Sequence, residues 1–164
     1  MPTCYREAPD EIRNHVAKLA TKFHPDLVEA DVSIKILLAH NPDGSALTHA
    51  SWPAKALVKI NNLRDRVAGL PDATLMLDAE VFDGMSTEQQ TSLIDHELTH
   101  LTVQRNKAGA FRYDDANRPK LRLRPHDWQA GGFDLMVQRH GVESHEAESI
   151  NAIRGRWVQM ELSF

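Results

Sequence analysis

The chain has 164 residues, 41% of them hydrophobic, which suits one globular domain with a buried core and would be cramped for two. Its formal net charge of -4 excludes a protein whose whole surface is built to bind nucleic acid or an anionic membrane. The single cysteine, Cys4, excludes an internal disulfide framework, and no run approaches the roughly 18 apolar residues of a membrane span. We therefore expect a single domain over residues 1–164 in the cytoplasm.

The first half of the chain is predicted to contain one long helix and three strands. Apolar residues recur at helical spacing between Pro9 and Phe23, and His24-Pro25 ends this packing helix. Strands are predicted at residues 32–39, 56–60 and 73–78, with a short charged helix or turn at 61–69. Four histidines in this half are interpreted as packing or surface residues rather than metal ligands: His15, His24, His40 and His49.

The most informative stretch is residues 93–101, where His96 and His100 stand four apart and Glu97 follows the first of them. A capping box of Ser86 and Gln89 predicts the start of its helix. Residues four apart share one helix face, so both imidazoles can bind one metal ion, most often zinc. The alternative is a solvated helix whose polar groups pair with neighbours. Leucines on both sides of the motif disfavour it, because a buried histidine needs a partner.

Glu97 is predicted to be the catalytic residue. From beside the ion, its carboxylate can take a proton from a water molecule that zinc activates and pass it to a leaving amine.

Residues 109–113 and 120–124 flank a turn-like segment at 114–119 and are predicted to form a hairpin. Its outward side would carry basic residues that could contact an acidic or nucleic-acid-associated target: Arg118, Lys120, Arg122 and Arg124. A basic run is more often only a solvated face. Further helices are predicted at residues 125–140 and 143–154.

A catalytic zinc normally has three protein ligands, so one more is expected. Val103 and Asn106 stand where a metzincin would have glycine and histidine, which excludes that class. The remaining candidates all follow the hairpin: His126, Asp127, His140, Glu143, His145, Glu146 and Glu148. We favour His126 because it opens a helix, and Glu146 is its main competitor. Asp127 could instead cap that helix or orient His126.

Three segments together resemble the putative phage metallopeptidase family and, more loosely, the SprT-like zincins. They are Met76-Leu77-Asp78, Asp95-His96-Glu97-Leu98-Thr99-His100-Leu101, and Arg124-Pro125-His126-Asp127 with a later Arg139-His140-Gly141. The resemblance covers residues 24–141 and implies a third histidine ligand that opens a later helix. It also implies an α+β, minimal zincin-like domain with a small three-stranded sheet packed on the active-site helix. This chain lacks the cysteine-rich ribbon with which some SprT-like proteins bind DNA.

Two functions of different class follow. The first is a phage or prophage zinc endopeptidase with one catalytic Zn²⁺ on His96, His100 and His126, and a protein or peptide substrate. The second is a catalytically silent zinc-binding interaction protein that binds a host or phage protein. Glu97 favours the first, because a structural zinc site needs no general base. For the endopeptidase we expect strand 73–78 to form a sheet edge at which an extended peptide adds, with the basic hairpin favouring acidic segments.

Overall fold

The computed structural model describes residues 2–125, which contain five helices and eight strands. In chain order these are β1 (Cys4–Glu7), α1 (Asp10–Phe23), α2 (Pro25–Glu29), β2 (Ile34–His40), β3 (Thr48–His49), β4 (Trp52–Pro53), β5 (Ala56–Ile60), α3 (Leu63–Val67), β6 (Ala73–Asp78), α4 (Ala79–Asp83), α5 (Thr87–Thr99), β7 (Leu101–Val103) and β8 (Leu121–Leu123). The predicted α+β class is confirmed. The predicted single domain and the two C-terminal helices include residues outside the described part and stay predictions.

A four-stranded mixed sheet forms the centre of the described part, in the order β1-β2-β6-β5. Strand β6 runs parallel to β2 and antiparallel to β5, while β1 runs antiparallel to β2. The side chains of Ala73, Leu75 and Leu77 in β6 are fully buried. These alternate residues share one face of the strand, and that face packs against helix residues such as Leu19 and Leu98 in the core.

Two predictions about the sheet were wrong. It has four strands rather than three, because β1 was missed: all four of its residues are exposed, so backbone pairing with β2 defines it and no apolar pattern does. The edge beside the active-site helix is β5, whereas strand 73–78 lies inside the sheet between β2 and β5. Hydrophobic periodicity predicts that a segment is a strand but does not say which strands neighbour it.

Helix α1 packs against α5, and two histidines link them. His15 Nε2 lies 3.0 Å from the Thr91 hydroxyl, and His24 Nε2 lies 2.6 Å from an Asp95 carboxylate oxygen. The predicted helix end is confirmed, since α1 stops at Phe23 and Pro25 opens α2. These contacts fix the position of α5 on the sheet, and Asp95 directly precedes the first histidine of the motif.

The segment after α5 differs from the predicted hairpin. The turn at residues 114–117 forms, and an isolated bridge joins Tyr113 to Pro119. Strand β8, however, pairs with β7, which begins directly after the active-site helix. The helix was expected to continue through Leu101, but α5 ends at Thr99 and Leu101 begins β7. The apolar residues of β7 fit either structure.

Arg118 binds the buried Asp72 instead of standing on a free basic face. Its guanidinium donates to both carboxylate oxygens of Asp72, which is fully buried and also accepts from the N–H and hydroxyl of Ser33. Burial alone would raise the pKa of Asp72, but these hydrogen bonds and the charge of Arg118 hold it below its usual value. The predicted partner-binding role of Arg118 therefore gives way to a structural one.

Candidate metal centre

Helix α5 places His96 and His100 one turn apart. The predicted capping box is confirmed, with the Ser86 hydroxyl accepting from the Gln89 N–H and the Gln89 side chain accepting from the Ser86 N–H. The helix ends at Thr99, but His100 keeps helical backbone angles at the C-cap, so the spacing of a helix turn is retained. The two imidazole centroids lie 5.0 Å apart.

Three side chains converge at this helix end. One potential ligand atom from each of His96, Glu97 and His100 can be chosen so that all lie within 4.8 Å of one another. His96 is exposed, His100 is half-buried and Glu97 is buried. A shared metal ion bonds its ligands at about 2 Å, so donors this close fit one ion between the two imidazoles.

The orientation of His100 is fixed by a backbone carbonyl. Its Nδ1 lies 2.7 Å from the carbonyl oxygen of Arg124, and because a carbonyl only accepts, the ring must donate its proton there. This tautomer carries its lone pair on Nε2, the form in which histidine binds metal ions. The Arg124 N–H donates in return to the carbonyl of His100, again at 2.7 Å.

Glu97 is held against the edge of the sheet. In an antiparallel pair, the backbone groups of successive residues point alternately toward and away from the partner strand. The hydrogen bonds from the Asp78 N–H to the Lys55 carbonyl and from the Asn61 N–H to the Asp72 carbonyl show that the odd-numbered residues of β5 direct theirs toward β6. The N–H of Val58 therefore points away from β6 and toward the Glu97 carboxylate, where it favours the charged form. Burial raises the pKa of Glu97, while the charge of His100, the Val58 hydrogen bond and the charge of His49 oppose that rise.

A buried carboxylate of raised pKa beside two potential metal ligands is the arrangement of a general base. A family model described as putative phage metallopeptidase matches residues 4–154. The chain belongs to this phage metallopeptidase family. Searches of the curated proteins and of the solved structures found no significant match. The predicted family is confirmed, and its description supports a metal-dependent hydrolase that acts on proteins or peptides.

The structure brings together three of the residues predicted for this phage metallopeptidase: His96, Glu97 and His100. The predicted third ligand, His126, lies outside the described residues. The same holds for its alternatives Asp127, His140, Glu143, His145, Glu146 and Glu148. Within residues 2–125, no helix is long and apolar enough to cross a membrane.

His49 was interpreted as a surface histidine, and it is exposed, yet its charge acts on Glu97. It lies on β3, which a two-residue turn joins to β4, and both turn residues, Ala50 and Ser51, have positive φ angles. Such a turn twists the two strands closely together. No local signal in the sequence could show that this hairpin lies near α5.

The other residues of the predicted basic face differ in their exposure to solvent. Arg122 and Arg124 are exposed and Lys120 is half-buried. Neither the family match nor the contacts in residues 2–125 support a nucleic-acid-associated target.

A pocket of about 370 Å³ opens beside Glu97 and His96. Its other walls come from the start of β5 and from the N-terminal part of α5, namely Lys55, Ala56, Met85, Gln89, Ser92 and Leu93. We call this the Lys55 pocket. It extends from His96 and Glu97 toward the N-terminal part of α5, a position in which a part of a substrate next to the reacting bond could be bound.

Proposed function

We propose that this family member is a zinc-dependent endopeptidase. The observation that carries the proposal is the convergence of two histidines that can share one ion with a buried glutamate that the sheet edge orients. A structural site would not need that glutamate, and structural zinc usually has four protein ligands, often including cysteine. The only cysteine of the chain, Cys4, is exposed on β1 and is not part of the cluster.

The donor set fits zinc, because two imidazoles and a nearby carboxylate are typical of catalytic zinc centres. When bound, zinc would act as a Lewis acid toward the scissile carbonyl and activate the attacking water. His96 and His100 would hold it, with the hydrogen bond to Arg124 fixing the ring of His100.

Glu97 would move the proton. One carboxylate oxygen can accept the proton of the attacking water while the Val58 N–H keeps the group oriented toward the cleft. The protonated carboxyl can then donate that proton to the nitrogen of the leaving amine. A raised pKa suits this exchange, because the group must accept and release a proton in one cycle.

We propose His126 as the third ligand. The two hydrogen bonds between His100 and Arg124 bring the chain to the metal-binding helix only two residues before His126. Glu146 stays the competing ligand.

An extended peptide substrate would pair with β5. This strand, rather than β6, forms the edge of the described sheet next to Glu97. The even-numbered residues of β5 direct their backbone groups away from β6. Among them Ala56 lines the Lys55 pocket, whereas the N–H of Val58 points toward Glu97, so the peptide would pair at Ala56. Backbone pairing at a sheet edge binds a peptide largely independently of its sequence. Phage or prophage origin and a cytoplasmic location stay predictions.

The test combines metal analysis with turnover. Purified wild-type protein should contain about one zinc per chain and cleave denatured protein substrates. Glu97→Gln should keep the zinc and lose at least roughly a hundredfold in kcat, because general acid–base catalysis contributes about that much or more. Zinc retention with no turnover in the wild type would favour the catalytically silent interaction protein. Equal turnover in both proteins would contradict the role of Glu97.

A further inference from the structure

The Lys55 pocket is lined by one lysine, by Glu97 and His96 of the candidate metal centre, and otherwise by neutral side chains. Apart from Glu97 and His96 at the metal centre, Lys55 is its only ionisable residue. Within residues 2–125, no carboxylate lies within ion-pair distance of the Lys55 ammonium group, whereas other cations such as Lys35 and Arg105 have carboxylate partners. The ammonium group of Lys55 is therefore available to an anion that enters the pocket.

Two further polar side chains of the pocket can donate hydrogen bonds. The carbonyl oxygen of Gln89 is occupied by the Ser86 N–H of the capping box, so its amide NH₂ is the part that remains for a ligand. Ser92 supplies a hydroxyl group. An amide NH₂, a hydroxyl and an ammonium group together match the acceptor oxygens of a carboxylate.

The remaining lining is apolar and matches the stem of a side chain. Ala56, Met85 and Leu93 contribute methyl, thioether and isobutyl groups to the pocket. A volume of about 370 Å³ holds one amino-acid side chain together with some water. Since the pocket begins at Glu97 and His96, that side chain would belong to a residue next to the scissile bond.

We propose that Lys55 is a specificity-determining residue that selects an acidic side chain, glutamate or aspartate, next to the bond that is cleaved. This inference rests on the proposed peptidase function. It assigns the acidic preference to the pocket instead of to the basic hairpin. The substrate carboxylate would pair with the Lys55 ammonium group, and its methylene groups would contact the apolar lining of the pocket.

The experiment uses peptide pairs that differ only by glutamate or glutamine at one position flanking the cleaved bond. Full-length wild-type protein should show a kcat/KM about three- to five-fold higher for the glutamate peptide, the size expected for one partly exposed ion pair. Lys55→Glu should reverse the preference, and Lys55→Gln should abolish it. Zinc content should not change in either variant.

Two matched variants separate the pocket from general charge effects. Lys59→Glu makes the same charge change at an exposed position of β5 that does not line the pocket, and it should keep the wild-type preference. Arg122→Glu tests the hairpin and should also keep it. A preference that survives in Lys55→Glu but is lost in Arg122→Glu would overturn the assignment to Lys55.

A binding measurement makes the result independent of turnover. Zinc-loaded Glu97→Gln protein, with and without Lys55→Gln, is titrated with the same labelled peptides and read by fluorescence anisotropy. Tighter binding of the glutamate peptide that disappears with Lys55→Gln supports the pocket. Equal affinities of the two peptides for the Glu97→Gln protein that retains Lys55 would contradict the proposed pocket. Absence of cleavage by the wild type would contradict the peptidase proposal alone, because the binding result still decides the pocket.

Discussion

His100 and Arg124 hold each other through two hydrogen bonds, one from the imidazole Nδ1 to the Arg124 carbonyl and one from the Arg124 N–H to the His100 carbonyl. The end of the metal-binding helix is thus tied to the end of β8. Because this candidate metal ligand also joins two elements, its replacement should affect the fold even when no metal is present.

We predict that His100→Ala lowers the free energy of unfolding of the metal-free protein by about 1 kcal/mol, because it removes the side-chain half of this pair. Denaturant unfolding in the presence of a chelator measures it. His40→Ala is the control, since His40 is exposed and only approaches Glu80 at 3.5 Å. Indistinguishable midpoints for His100→Ala and the wild type would show that the tie does not stabilise the fold.

Zinc should stabilise the wild type and be lost from His96→Ala and His100→Ala. Binding to the folded state alone adds roughly 2.7 kcal/mol when free zinc is a hundredfold above its Kd. Metal analysis and thermal unfolding with and without chelator provide the measurements. Full zinc retention in both single variants would rule out the site.

The choice of third ligand separates two residues. His126→Ala should weaken zinc affinity by orders of magnitude, whereas Glu146→Ala should change it little. Competition with a chromogenic chelator measures both affinities. The opposite ranking would indicate a centre of two histidines and one glutamate.

The metal-free protein should lose stability through Glu97 as the pH rises. Burial raises the pKa of Glu97 above 4.5, so between 4.5 and the folded-state pKa the native state binds more protons than the unfolded state. The free energy of unfolding therefore falls with rising pH across that window. Glu97→Gln should lack this fall and be the more stable protein at neutral pH with chelator present. A parallel pH dependence in both proteins would contradict the prediction.

Arg118→Ala should destabilise the protein by about 2 kcal/mol, because the buried Asp72 carboxylate loses two charge-assisted hydrogen bonds and keeps only Arg66 as a cation, at 3.8 Å. Arg122→Ala, at an exposed position of β8, should stay within about 0.5 kcal/mol of the wild type. The lowered pKa of Asp72 gives the wild type stability that is present above 3.8 and lost as the pH falls through the folded-state pKa. In the variant, burial favours the protonated form, so the two stability curves should converge in acid. A difference in unfolding free energy that stays constant with pH would mean that ionised Asp72 does not cause it.

The elements with their own apolar pattern could be predicted from the sequence. Strands β5 and β6 have the predicted limits, and α1 ends where His24 and Pro25 predicted. The site residues on α5 could be predicted because helix geometry alone brings His96 and His100 together. The spacing of the two histidines on one helix is sufficient to predict that their side chains lie close together.

The remaining features depend on distant residues. Strand β1 has no buried side chain, and the choice of β5 as the edge depends on which strands pair. The roles of Arg118 and Val58 come from partners far along the chain, Asp72 and Glu97. A basic residue in a turn has the same local pattern whether it faces solvent or a buried aspartate, and only the fold distinguishes the two.

The position of Glu97 beside the Val58 N–H also bears on self-association of the protein. An edge strand with unpaired N–H groups is a template on which another copy can add a strand and start aggregation. Glu97 lies at the N–H of Val58, so a strand of another copy cannot pair along the whole of this edge while that carboxylate is in place. An inactive form made as Glu97→Ala would expose that N–H, whereas glutamine retains a carbonyl oxygen that can accept from it. For soluble inactive protein, glutamine is therefore the better replacement.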